Sequence, residues 1–367
     1  MKPHATPSAQ SAVQAVLDRA VAENRERGVQ VAAYFKGELV ADAWAGLADP
    51  ATGRRVDGDT LFPVFSVTKG ILTTAIHRLV ERGAFEYDTR IADLWPAFGA
   101  AGKLTVTVRQ ALCHSAGIPH MPPDATRADL GDWDAMCAAV ARLTPLWPPG
   151  TRACYHAVTF GWILGEVARR VTGKPVRQLL HAECGAPIGV KDLHCGLPPA
   201  AERRVAVLEE PDWKPLPPPA DMPPSVPDWM QPLAGWMNSG PARRACIPAS
   251  NGCMSARALA RHYAALLPGG VGGVELLPPA RVRLATVPHF LGEPPPVRVG
   301  LGYFLGGAGG AFGSRLTTFG HGGYGGSNAF ADPETGLAFA FTRNLLVPNG
   351  ALQETVDEVR RVLKIPA

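Results

Sequence analysis

No apolar run in the 367 residues approaches the roughly 20 that a membrane-spanning helix needs, so no membrane span is expected. No basic block occurs either. The net charge of +4 is spread along the chain, which makes nucleic acid a poor candidate partner. The opening stretch MKPHATPSAQSAVQAVLDRAVAENRERG lacks an apolar h-region and a small-residue cleavage site. It reads as a mobile start before an amphipathic helix, not as a signal peptide. Cysteine is used seven times, at 113, 137, 154, 184, 195, 246 and 253, an odd number without any C-x-x-C pair. Buried thiols in a reducing cytoplasm are the expectation, in preference to a disulfide framework. No cluster of His, Cys, Asp and Glu shows metal-ligand spacing, and neither a metal nor a cofactor is expected. Lysine is scarce, eight of the 36 basic residues, which makes each one worth inspecting. The sequence carries no indication of oligomeric state.

What is present suits a large globular core: 46% apolar and 19% charged residues, with Gly 40 and Pro 36 below the level of a disordered chain. VQVAAYFKGELVADAWAG (29–46) alternates in short β-prone runs and breaks at Lys36-Gly37, the pattern of a hairpin. From 66 to 82, Val67, Ile71, Ala75, Ile76, Leu79 and Val80 keep a helical period, and Gly83 supplies a C-terminal stop. Further helical patterns follow. In VTFGWILGEVARRVTGK, Gly161 and Gly165 lie four apart and imply that another element packs closely there. Residues 209–240 form a proline-dense stretch with Trp213, Trp229 and Trp236, expected to lack regular structure. Two readings of these tryptophans stay open: packing within a connection, or an apolar wall of a substrate cleft. The last third reads as the strands VGLGYFLGG, SRLTTFGHGG, SNAFADP and LAFAFTRNLL, closed by an amphipathic helix. Strands at both ends with helices between them predict an α+β fold, in which one antiparallel sheet is assembled from both termini around a helical insertion. The expected division is an α/β sandwich from 1–64 and 250–367, with a mainly helical part over 65–249.

FSVTKG (65–70) places Ser66 and Lys69 three apart at the start of an apolar helix, hence on one helical face. With ten serines and eight lysines, about 0.2 such S-x-x-K pairs arise by chance, so the spacing alone is weak. Its setting strengthens it. A serine in a first helical turn feels the positive end of the backbone dipoles, and a lysine buried by the following apolar stretch loses its charge readily. The plain alternative is a helix cap beside a snorkelling lysine.

Two more stretches bear on that choice: WPPGTRACYHAVTFGW, where Tyr155 stands just ahead of a helix, and TTFGHGGYGGSNAFADP, where His321-Gly322-Gly323 ends a strand. Together with S-x-x-K, these make residues 10–365 resemble the serine β-lactamase/penicillin-binding-protein superfamily, which combines S-x-x-K, a Tyr or Ser motif and a K-T-G-like strand. Order and separation are similar to those of class C β-lactamases and family VIII carboxylesterases. The resemblance implies a β-lactamase/transpeptidase-like fold and a two-step acyl transfer. Ser66 is the implied nucleophile, Lys69 and Tyr155 share proton transfer, and the backbone N–H groups of Ser66 and Tyr324 form the oxyanion hole. Lys69 is expected to lower the pKa of Tyr155. His321, Gly322, Gly323, His156, Trp213, Trp229 and Trp236 are candidate substrate-binding residues. Two departures matter. Tyr155-His156-Ala157 carries no amide where class C enzymes have Tyr-x-Asn, and His321 stands where a lysine would meet a substrate carboxylate. Both argue against β-lactam turnover and toward hydrolysis of a small-molecule ester. Acyl or amide transfer is the main alternative, and a β-lactamase or D,D-peptidase comes third. An inert binding scaffold is disfavoured because Ser66, Lys69 and Tyr155 are all present.

GHGGYG (320–325) also fits G-x-G-x-x-G, but a dinucleotide site needs a helix directly afterwards, and SNAFADPETG reads as strand and turn. No G-x-S-x-G elbow occurs. His114 is expected to be structural, whereas His156, beside Tyr155, is a candidate for the cleft wall.

Overall fold

The computed structural model describes residues 8–211, 214, 222–290, 298–307 and 312–366. The expected mobile start before residue 8, and Trp213, therefore fall outside the described residues. Among the described residues ten strands run in order: β1 (Gly28–Phe35), β2 (Glu38–Asp49), β3 (Arg54–Arg55), β4 (Phe62–Phe65), β5 (Leu193–Cys195), β6 (Gly252–Met254), β7 (Phe304–Leu305), β8 (Phe319–Gly322), β9 (Asn328–Asp332) and β10 (Leu337–Arg343). The six longest helices among the described residues are α1 (Ala9–Ala22), α2 (Thr68–Glu81), α3 (Trp133–Arg142), α4 (Thr159–Thr172), α5 (Ala256–Ala264) and α6 (Ala351–Leu363).

Seven strands form one sheet in the order β3-β2-β1-β10-β9-β8-β7, so the N- and C-terminal segments meet at the β1–β10 pair. That pair is antiparallel, with Val31 opposite Phe341. β1 and β2 form the expected hairpin, and the turn residues Lys36 (φ 51°) and Gly37 (φ 84°) are both left-handed, as a type I′ connection requires. Side-chain alternation divides the sheet cleanly. Val29, Val31, Phe339 and Phe341 face α1 and α6, where Val13, Leu17, Val356 and Val359 cover them. Ala32, Ala338 and Ala340 face the larger core that holds α2 and α5. Alanines on that side let α5 lie close to the strands, and each fully buried Val, Leu or Phe contributes about 1.5–3 kcal/mol.

β4, β6 and β5 form a smaller sheet beside the large one. It positions the site. β4 runs directly into Ser66, and Phe65 at its end sits opposite Gly252 of β6. A Cβ at Gly252 would lie 2.5 Å from Thr68 Oγ1, so only glycine lets β6 approach this turn. The helical insertion packs as its glycines imply. A Cβ at Gly161 would lie 2.7 Å from the Ala249 nitrogen, and one at Gly165 would lie 2.6 Å from the Trp133 ring.

Three local expectations are corrected. Ser66 lies in the turn just before α2 and not in its first helical turn. VGLGYFLGG contributes only Phe304 and Leu305 to the sheet, because Gly302 (φ 82°) turns the chain inward against Thr73. Finally, the proline-dense stretch contains a short helix, Leu233–Met237, and a second, Gly240–Arg244, starts at its last residue. Pro232 stands at the N-cap of the first and Pro241 in the first turn of the second, where a proline is tolerated because its missing N–H would have no helical partner.

Candidate active site

The turn that presents Ser66 is strained and tightly held. Phe65 has a left-handed φ of 48°, an unfavourable conformation for a bulky side chain. Thr68 secures it: its hydroxyl donates to the Phe65 carbonyl (2.6 Å) and accepts from the Gly252 N–H (2.9 Å). Gly323, just after β8, stands so close that a Cβ there would lie 2.3 Å from the Val64 carbonyl oxygen. The end of β8 is thereby set against the strand that leads into Ser66.

Lys69 is fully buried. Its Nζ lies 3.1 Å from Ser66 Oγ, 2.7 Å from the Ala157 carbonyl oxygen and 2.8 Å from that of Ala249. Burial holds its pKa well below the ordinary lysine value, and no carboxylate offsets that effect. The Tyr155 side chain hydrogen-bonds to that of Ser66, and its ring centroid is 4.7 Å from Lys69 Nζ. Although Tyr155 keeps partial exposure, burial raises its phenol pKa, with the Ser66 hydrogen bond opposing the rise. The expectation that Lys69 lowers this pKa is therefore corrected. Burial of the phenol, and not the nearby amine, sets the direction of the shift.

These groups open onto a cavity of about 560 Å³. Ser66, Tyr155, Gly322 and Tyr324 line it together with an apolar wall that includes Phe65, Val158, Met230, Leu233, Trp236 and Phe304. Of the β8 residues expected to contact substrate, Gly322 reaches the cavity. His321 is buried behind the wall, stacked on Phe304 at 4.2 Å, and burial lowers its pKa to about 3, with Lys69 adding to the shift. It is uncharged at neutral pH.

Trp236 is both part of the buried core and a lining residue of the cavity. Trp229 packs against the core with its carbonyl accepting from Arg127, and it is not among the lining residues. His156 is also placed elsewhere. It is buried, with Nε2 accepting from the Ile118 N–H (3.2 Å) and Nδ1 paired with the Cys154 carbonyl (2.7 Å). The unmet demand for backbone partners in the 114–118 loop takes this imidazole away from the cleft. His114 accepts from the His156 N–H and packs against Tyr155, as a structural residue would.

Several contributors escaped the sequence reading. The carbonyls of Ala157 and Ala249 hold Lys69, and a carbonyl carries no residue-type signal. Ser250, adjacent in sequence to Ala249, lines the cavity, and its hydroxyl is buried without a hydrogen-bond partner among the described residues. Glu210 accepts from the Tyr324 hydroxyl. Among the described residues no group of three His, Cys, Asp or Glu is placed to hold a metal ion, and no helix is long and apolar enough to cross a membrane.

A serine beside a buried lysine and a tyrosine, at the junction of a two-ended sheet and a helical region, defines the class of serine acyl-transfer proteins built on the β-lactamase fold. The chain belongs to the Beta-lactamase family, whose sequence model matches residues 13–364. It is 38% identical to the Esterase/beta-lactamase LipL of Mycobacterium tuberculosis over 338 residues, 87% of this chain and 77% of that protein. Among solved structures it is similar to a family VIII carboxylesterase (33% identity, TM-score 0.86, covering 96% of this chain and 97% of the other). It is also similar to a penicillin-binding protein homologue from Caulobacter crescentus (34% identity, TM-score 0.85, covering 96% and 98%).

Proposed function

We propose that the protein hydrolyses small carboxylic esters through an acyl-enzyme on Ser66. The observation that carries this reading is the environment of Lys69 Nζ: two carbonyl oxygens and one hydroxyl, with no carboxylate. A neutral amine has two N–H donors and one lone pair. The carbonyls of Ala157 and Ala249 take the donors, which leaves the lone pair for the Ser66 proton. An ammonium would instead spend its third donor on Ser66 Oγ and blunt the nucleophile. Lys69 is therefore the base and Tyr155, a protonated phenol at neutral pH, the relay.

In the first step the Ser66 proton passes to Lys69 while Oγ attacks the ester carbonyl carbon. The N–H groups of Ser66 and Tyr324 receive the oxyanion. Collapse of the tetrahedral intermediate breaks the bond to the alcohol oxygen, and the proton held by Lys69 returns to that oxygen through Tyr155. Water then gives a proton to Lys69 through Tyr155 as its oxygen attacks the acyl carbon; the bond to Ser66 Oγ breaks, the proton returns to Oγ, and the acid leaves. The neutral His321 supplies no cation for a substrate carboxylate, which favours simple esters over β-lactams. A relative named Esterase EstB and the family VIII carboxylesterase support the same choice, whereas LipL is named for both activities. The seven cysteines are free thiols, which suits a reducing compartment, and the cytoplasm is assigned on that ground.

The test is product analysis with p-nitrophenyl butyrate, in the presence and absence of an added amine, alongside nitrocefin. Butyrate formed with turnover, and nitrocefin left largely intact, is the expected result. Quantitative capture of the acyl group by the amine would move the assignment to acyl transfer, and nitrocefin turnover exceeding that of the ester would move it to a β-lactamase.

A further inference from the structure

Tyr324 sits in the sequence Gly322-Gly323-Tyr324-Gly325-Gly326, where it is the only residue with a side chain. Gly325 (φ 76°) and Gly326 (φ 106°) adopt left-handed backbone, and a glycine-flanked turn of this kind has little intrinsic stiffness. Whatever fixes the Tyr324 side chain therefore fixes the backbone N–H assigned to the oxyanion. Two contacts do so. The ring meets Phe65 edge-on at 5.4 Å, and the hydroxyl donates to Glu210 Oε1.

Glu210 does more than hold that hydroxyl. Its second oxygen, Oε2, accepts the Ala234 N–H at 2.8 Å, in the first turn of the helix Leu233–Met237. That helix carries Leu233 and Trp236 into the cavity wall. Glu210 is itself anchored by its neighbour: the Glu209 N–H donates to the Asn344 carbonyl and the Leu346 N–H donates to the Glu209 carbonyl, both at 2.8 Å. One carboxylate thus joins the turn after β8 to the apolar wall, from a base fixed at the end of β10.

Resting on the ester-hydrolase reading, we infer that Glu210 is a positioning residue that sets the oxyanion-side turn and the acyl-binding wall relative to each other. It touches neither substrate nor reacting atoms. Its loss acts in two ways. The turn at Tyr324 loosens, which lowers kcat, and the wall at Trp236 loosens, which blurs discrimination between acyl chains of different length.

The experiment measures kcat and KM for p-nitrophenyl acetate, butyrate and octanoate with wild type, Glu210→Ala, Glu210→Gln, Tyr324→Phe and the double variant Glu210→Ala/Tyr324→Phe. A hydrogen bond to a charged group corresponds to roughly ten- to a hundredfold in rate, so Glu210→Ala should lose kcat on that scale and flatten the chain-length profile. Glu210→Gln should restore most of both, because an amide can still accept from the Ala234 N–H and donate to the tyrosine oxygen. Tyr324→Phe should lose kcat but keep the profile, since the Ala234 N–H still donates to Glu210. The double variant should be no slower than Glu210→Ala alone. Wild-type kcat and an unchanged profile in Glu210→Ala would overturn the inference. So would a Glu210→Gln variant as impaired as the alanine. If Glu210→Ala fails to fold, wild-type kcat in Tyr324→Phe overturns the link to the oxyanion turn. A wild type that hydrolyses none of the three esters would instead fail the proposed function, which separates the two results.

Discussion

Replacing Lys69 by methionine probes the proposed base in a way that does not rely on rate alone. Methionine fills a similar volume but cannot titrate. In the folded wild type, burial keeps the amine's pKa well below 10.5, whereas in the unfolded chain it returns to that value. Between those two pH values the unfolded state binds one proton more than the folded state. The slope of unfolding free energy against pH is then positive and reaches at most about 1.4 kcal/mol per pH unit from this one group. The difference in stability between wild type and Lys69→Met should rise by up to that amount per unit across the window, level off above about pH 10.5, and be flat below the folded-state pKa. The methionine leaves the carbonyls of Ala157 and Ala249 without their donor, at about 1–3 kcal/mol each, but that offset does not vary with pH and drops out of the slope. Urea unfolding of both proteins at intervals from pH 7 to pH 11 measures it. Parallel stability curves would refute the reasoning, because they would mean that Lys69 is as protonated in the folded protein as in the unfolded one. In the same samples ester turnover should fall by about 10²–10⁴, the usual contribution of a positioned base.

Further outcomes follow from the same geometry. Tyr155→Phe removes the relay while keeping the ring beside Lys69, so kcat for p-nitrophenyl butyrate should drop about 10²–10³-fold with KM little changed. A tenfold rise in KM at constant kcat would assign the phenol to substrate binding instead. Trp236→Ala should enlarge the apolar cavity and raise kcat/KM for octanoate relative to butyrate by roughly fourfold for each additional methylene it accommodates. A selectivity unchanged from wild type would remove Trp236 from the acyl wall.

The sequence made the architecture readable because its signals were local and repeated. Alternation in β1 and β2, the Lys36-Gly37 turn and the helical period after Ser66 each act over a few residues, and the β1–β10 pairing follows once strands are recognised at both ends. The spacing of Ser66, Lys69 and Tyr155 was legible for a different reason, since those side chains are scarce types in a recognisable order. What could not be read was anything decided by three-dimensional demand. His156 looked like a cleft residue because Tyr155 precedes it, but the 114–118 loop needed an acceptor and took the ring. Burial, which has no one-residue signature, raised the Tyr155 phenol where proximity to a lysine suggested lowering. Glu210 lies 114 positions from Tyr324, and no spacing rule connects them.

Labelling with a fluorophosphonate, followed by intact mass and peptide mapping, tests the central claim most directly. The account predicts one adduct on wild type, located at Ser66, absent from Ser66→Ala and formed far more slowly in Lys69→Met. No adduct on wild type, or the same adduct on Ser66→Ala, would contradict it.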